Sequence, residues 1–171
     1  MPLRIFELLQ ERFVSPRTGR PLDAVIIECC DWVNVIALTE DEEVVMVRQY
    51  RFGTGDITLE IPGGMIDEGE SPQVAAAREL REETGYEATR WTSLGPIATN
   101  PAFMRNRLHA FLAEGARRVG ELQQDDSEDI EVERHALGDI DAMIASGEIS
   151  HSLVTYAFHK LDLLRRGHGL G

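Results

Sequence analysis

The chain is short of cysteine, of basic charge and of long apolar runs, and each scarcity removes a class of protein. Its two cysteines, Cys29 and Cys30, are adjacent and end an apolar run from Ala24 to Ile27 followed by Glu28. Ordinary buried thiols are expected there rather than a disulfide, which points to a reducing, cytoplasmic setting. The apolar stretches stop well short of the ~20 residues that a membrane helix needs. No charged start followed by a long apolar segment opens the chain, so neither export nor membrane spanning is expected. Lys and Arg number 17 against 30 Asp and Glu, a formal net charge of -13. The arginines come in scattered short groups, Arg48/Arg51, Arg105/Arg107 and Arg117/Arg118. Such a surface repels a polyanion, so a nucleic-acid polymer is not an expected partner. A small phosphorylated ligand is compatible with it, held locally by a divalent cation and one or two arginines.

What is present describes a soluble globular chain: 171 residues, 43% hydrophobic and 27% charged, suited to one domain over residues 1–171. Apolar residues from Ile5 to Val14, a turn at Ser15 to Pro21, and β-branched runs at Val25 to Glu28, Trp32 to Leu38 and Glu43 to Gln49 predict an N-terminal antiparallel sheet and a β-meander. Leu59 to Gly64 reads as a short strand ending in a bend. Ser71-Pro72 then opens a helix that runs to about Thr84 and stops at Gly85, a C-terminal glycine cap. Strands are expected at about Tyr86 to Leu94, Leu108 to Leu112 and Ile130 to Ala136, with an acidic loop from Gly120 to Asp129. Two helices close the chain, around Ile140 to Ala145 and from Leu153 to Leu164, where Leu153, Ala157, Leu161 and Leu164 share a face. Interleaved strands and helices predict an α/β or α+β fold.

On the central helix, Glu79, Glu82 and Glu83 lie three and four residues apart, so at least two carboxylates project from one side. A solvated acidic face would look the same. The preceding bend, Gly63-Gly64-Met65-Ile66-Asp67-Glu68-Gly69-Glu70, has no bulky group at its two glycines and brings backbone carbonyls close in chain to those carboxylates. Oxygen ligands with no partnered Cys or His favour Mg²⁺, with Mn²⁺ as a substitute, over zinc.

Gly64, five residues, Glu70, seven residues, then Arg78-Glu79-Leu80-Arg81-Glu82-Glu83-Thr84-Gly85-Tyr86 resembles the Nudix box at every fixed polar and glycine position. Tyr86 departs from it, standing where the family usually has an aliphatic residue. The resemblance implies a Nudix-like α/β/α sandwich with a mixed central sheet, a β extension in residues 1–40 and a catalytic core in residues 41–171. It also implies hydrolysis of a nucleoside diphosphate linked to another moiety. Carried over residue by residue, Glu79 and Glu83 would be the principal metal ligands, Glu82 would share a metal, and the Gly63 carbonyl would add a further ligand. Arg78 would orient these carboxylates; a simple surface i,i+4 ion pair with Glu82 is the alternative to that role. Glu70 would support the loop or contact the metal through water.

Outside the box, Val47-Arg48-Gln49-Tyr50-Arg51 and Leu59-Glu60-Ile61-Pro62-Gly63-Gly64 resemble the branch that hydrolyses ADP-ribose and nucleotide sugars. That makes Arg51, Arg48 and Glu60 substrate-binding candidates, Glu60 across a dimer; Arg51 is equally readable as an ordinary strand-end cation. Pro101, sixteen residues beyond Gly85, fits ADP-ribose hydrolases, while the stretch Asn100 to Arg107 is more like broader nucleotide-sugar hydrolases. Ser127-Glu128-Asp129-Ile130 resembles the loop that supplies a late glutamate, so Glu128 is the candidate base or metal ligand and Asp126 its deputy. His109, His135 and His151 have no ligand spacing and are expected to be structural or exposed. The expected partners are a small nucleoside diphosphate substrate and a second copy of the chain in a homodimer. Rival functions are a nucleotide-sugar sensor that binds without cutting, a hydrolase of dinucleoside polyphosphates, and an isoprenyl diphosphate isomerase, for which Cys29-Cys30 offers no match.

Overall fold

A computed structural model describes residues 5–120 and 130–169. Strands β1 (Glu7–Val14) and β2 (Pro21–Glu28) form an antiparallel hairpin of their own, closed by a turn in which Gly19 takes φ 69°. The central sheet is built from β3 (Trp32–Leu38), β4 (Glu43–Arg51), β5 (Asp56–Glu60), β7 (Arg90–Ala98), β8 (Arg107–Glu114) and β10 (Ile130–Ala136). Its order is β10-β4-β3-β8-β7, with β5 also paired to β4. Among the described residues of this sheet only the β3–β8 pairing is parallel, so the sheet is mixed. Two short strands, β6 (Tyr86–Glu87) and β9 (Arg117–Arg118), pair apart from it; the expected strand from Tyr86 to Leu94 is divided between β6 and β7, and β9 is not among the expected strands.

Strand alternation gives the sheet two apolar faces. Val33, Val35, Ala37 and Val45 face Ala75, Ala76 and Leu80 of helix α1 (Pro72–Thr84). Ile36, Leu38, Val44, Met46 and Leu59 face the other way, onto α2 (Ile140–Ser146) and α3 (Ser152–Arg165), where Val154, Ala157, Phe158 and Leu161 are buried. Helices thus cover both faces of a mixed sheet, the α/β/α sandwich. Tyr86 packs its ring against the α1 cluster, as a large apolar side chain in that position should.

Helix α1 is bounded as its sequence signals require. Pro72 occupies its first turn and Ser71 is extended before it (φ -80°, ψ 150°), though the serine side chain makes no capping bond. Gly85 adopts φ 72° and donates its N–H to the Arg81 carbonyl at 2.8 Å. One expectation is corrected: Cys29 is only half-buried and Cys30 is exposed, both as free thiols. The run they end belongs to the β1–β2 hairpin, which has solvent rather than a helix over much of its surface; Val14, Leu22 and Val25 are exposed on it.

Candidate active site

The chain beyond β5 fixes the position of the site. Pro62, Gly63 and Gly64 run alongside β3: Val35 N–H donates to the Pro62 carbonyl at 2.8 Å, Val33 N–H to Gly64 at 2.9 Å, and Gly64 N–H to Val33 at 3.1 Å. That approach is possible only without side chains. A Cβ on Gly63 would lie 2.2 Å from the Val33 carbonyl oxygen, and one on Gly64 would lie 2.4 Å from Oε1 of Glu79. The two glycines therefore serve different neighbours, Gly63 the sheet and Gly64 a carboxylate of α1.

Around this bend the structure gathers the acidic residues of α1. Glu79 and Glu83 are buried on the helix face toward the sheet, and Glu83 accepts the Gly63 N–H at 2.9 Å. Arg78 reaches Glu70 at 3.0 and 3.1 Å, Glu79 at 2.8 Å, Glu82 at 3.0 Å and the Met65 carbonyl at 2.9 Å. The i,i+4 pair with Glu82 is thus one limb of a larger clasp. Its hydrogen bond to Glu70 is the main reason the Arg78 guanidinium is held above its ordinary pKa, and the same bond lowers that of Glu70.

A cavity of about 560 Å³ opens beside the bend, lined by Gly63, Gly64 and Met65 at one side and by Arg51, Glu60 and His151 among others. Glu60, only 3% exposed, accepts two hydrogen bonds of 2.7 Å from Arg51 and one of 2.6 Å from the Thr58 hydroxyl. Burial alone would raise its pKa; the bonds from Arg51 and Thr58 outweigh burial and lower it. Arg51 spends Nε and Nη2 on Glu60, while its side chain stays 41% exposed, so the outer edge of the guanidinium is available to a ligand.

Arg48 is placed elsewhere. Residues three apart on a strand point to opposite faces, and Arg48 pairs with Glu133 and, at 3.0 Å, with Glu148, away from the cavity lining. His109 lies 3.0 Å from Asp31 and His135 2.7 Å from Glu133, whereas His151 lines the cavity. Sequence reasoning reads His151 as structural or exposed and does not single out Thr58. For Thr58 a signal existed, since the i,i+2 spacing to Glu60 puts both on one strand face; nothing local in sequence brings His151 there. Glu128 and Asp126 lie outside the described residues.

The donor chemistry suits a hard cation: carboxylate oxygens, a backbone cradle that a Cβ at Gly64 would fill, and an arginine fixing the carboxylates in place. Among the described residues no three acidic, His or Cys side chains form a ready-made cage. Mg²⁺ requires none, because it takes one or two carboxylates and completes its shell with water and substrate phosphates.

Comparison with known proteins agrees with this arrangement. The NUDIX domain family model matches residues 31–155. The chain is 36% identical over 161 residues to an ADP-ribose pyrophosphatase of Bacillus subtilis (strain 168), covering 94% of this chain and 86% of that protein. It is 32% identical over 151 residues to an ADP-ribose pyrophosphatase of Mycobacterium tuberculosis, covering 87% and 72% respectively. A crystal structure of an ADP compounds hydrolase superposes with a TM-score of 0.84 at 22% identity over 100% of this chain and 92% of that one, which shows a shared fold. A glycine bend packed on β3, a glutamate-rich α1 clasped by Arg78 and a family match spanning most of the chain lead to one assignment: this protein belongs to the Nudix family of hydrolases.

Proposed function

We propose that this chain hydrolyses the diphosphate bond of ADP-ribose or a related nucleoside diphosphate sugar, releasing a nucleoside monophosphate and a sugar phosphate. The observation that carries the reading is the adjacency of the α1 glutamates to a cavity with Arg51 in its wall. A diphosphate has two needs that these features meet, neutralisation of its charge and orientation of its oxygens. The names of the two pyrophosphatase relatives support the same substrate class.

Each group then has a role that follows from its surroundings. Glu79, Glu83 and Glu82, with the Gly63 carbonyl, would hold Mg²⁺ or Mn²⁺, which supplies charge neutralisation and Lewis acidity when bound. Arg78 keeps Glu79 and Glu82 from swinging into solvent, and Glu70 anchors Arg78 in turn. Arg51 presents its outer N–H edge to a phosphate oxygen, and Glu60 with Thr58 fixes the angle of that edge. Glu60 acts here through Arg51 rather than on the substrate. Arg48 ties β4 to β10 and to the α2–α3 turn, a support for the strand that carries Arg51. Glu128, with Asp126 as the alternative, takes the proton of the attacking water at a carboxylate oxygen. A cytoplasmic location and a homodimer remain part of this reading, and the exposed apolar side chains of the N-terminal hairpin support the dimer.

The test is a panel of ADP-ribose, GDP-mannose, UDP-sugars, dinucleoside polyphosphates and nucleoside triphosphates, assayed with magnesium and with product identification. ADP-ribose should give AMP and ribose 5-phosphate faster than the polyphosphates react. Tight binding of nucleotide sugars with no turnover would contradict the reading and favour a sensor.

A further inference from the structure

His151 stands in the cavity wall at the start of α3, and its two ring nitrogens have different surroundings. Nδ1 accepts the Leu153 N–H at 3.2 Å and so caps the helix. A ring nitrogen that accepts a hydrogen bond carries no proton, which puts the hydrogen of the neutral imidazole on Nε2. Nε2 is 4.0 Å from Oε2 of Glu60, beyond hydrogen-bonding distance. Glu60 accepts from Arg51 and Thr58, with two bonds on Oε1 and one on Oε2. The histidine side chain is 31% exposed, open toward the cavity.

Two donors therefore converge on this side of the cavity, the outer edge of Arg51 and the Nε2–H of His151. Two converging donors suit an anionic oxygen, which accepts from both and has no hydrogen of its own to place. Resting on the reading that this cavity takes a nucleoside diphosphate sugar, we propose that His151 is a substrate-binding residue that donates Nε2–H to an oxygen of the diphosphate held by Arg51.

The cap and the donor can be separated by substitution. His151→Asn keeps an oxygen at the Nδ1 position, and asparagine is a strong N-cap, but it has no group that reaches as far as Nε2. His151→Gln carries an amide N–H out to the Nε2 position and forfeits the cap. Calorimetric titration of the metal-free protein with ADP-ribose, steady-state kinetics with magnesium and thermal midpoints together read the result. His151→Asn should melt close to the wild type yet bind ADP-ribose about tenfold more weakly, with KM raised similarly and kcat changed less. His151→Gln should recover most of that binding and melt lower. Unchanged binding in His151→Asn, or binding lost only in His151→Gln, overturns the proposal. If the wild type hydrolyses ADP-ribose while His151→Asn matches it, the His151 role alone falls. If the wild type binds without hydrolysis and His151→Asn weakens that binding, the hydrolase reading falls and the His151 role stands.

Discussion

Arg78 on α1 and Arg51 at the end of β4 both hold carboxylates beside the same bend, but in different proportion. Arg78 contacts three glutamates, Glu70, Glu79 and Glu82, with Glu83 one turn along the helix face from Glu79; Arg51 is matched by the single carboxylate of Glu60. Where carboxylates outnumber the guanidinium, negative charge is left over, and the region attracts a cation. Where the pair is balanced, no anion is left over and the spare N–H groups of the arginine face the cavity, so the region attracts an anion. The difference explains how a chain with a net charge of -13 can receive a diphosphate.

Neutralising the surplus side should have the largest effect. Glu83→Gln retains an acceptor for the Gly63 N–H, so the protein should stay folded, while kcat falls by roughly 10²–10³-fold because an amide cannot replace an anionic ligand of a hard cation. Near-normal turnover of the folded variant at saturating magnesium would erase the distinction between the two arginines. On the balanced side, Arg51→Ala should act mainly on binding, raising KM by roughly 10–100-fold with a smaller change in kcat. A fall in kcat with KM unchanged would place Arg51 with the metal side instead.

The adjacent glycines sharpen the same contrast at lower amplitude. Gly64→Ala sets a methyl group against the Glu79 carboxylate, a movable chain end, so activity should drop while the thermal midpoint stays near that of the wild type. Gly63→Ala sets a methyl against the Val33 carbonyl and lies 3.0 Å from the Asn34 Cα, both backbone, and should cost about 2 kcal/mol of stability. Denaturant melts of the two variants check this, and equal destabilisation would contradict it.

Which of these features can be read without a structure depends on whether the signal is local. Helix α1 is legible because its start signal, Ser71-Pro72, and its stop signal, Gly85, lie within one segment. Strands β3 and β4 are legible from their β-branched runs, whereas β6 and β9 are two residues long and exist only through their mutual pairing. The box glutamates are visible as a spacing, but their clasp by Arg78 also uses the Met65 carbonyl, which no spacing announces. Arg48 and Arg51 look alike in sequence; their three-residue separation on a strand already separates their faces. The exposed position of Cys30 and the cavity position of His151 depend on packing between distant segments, and no neighbouring residue signals either one.

Binding of Mn²⁺ to the protein without substrate, followed by electron paramagnetic resonance as the free ion signal is lost, tests the central claim that the α1 glutamates form the cation site. The wild type should remove free Mn²⁺ saturably, Glu83→Gln should do so far more weakly, and Arg51→Ala should match the wild type. Equal uptake by the wild type and Glu83→Gln would contradict the assignment of the metal to α1.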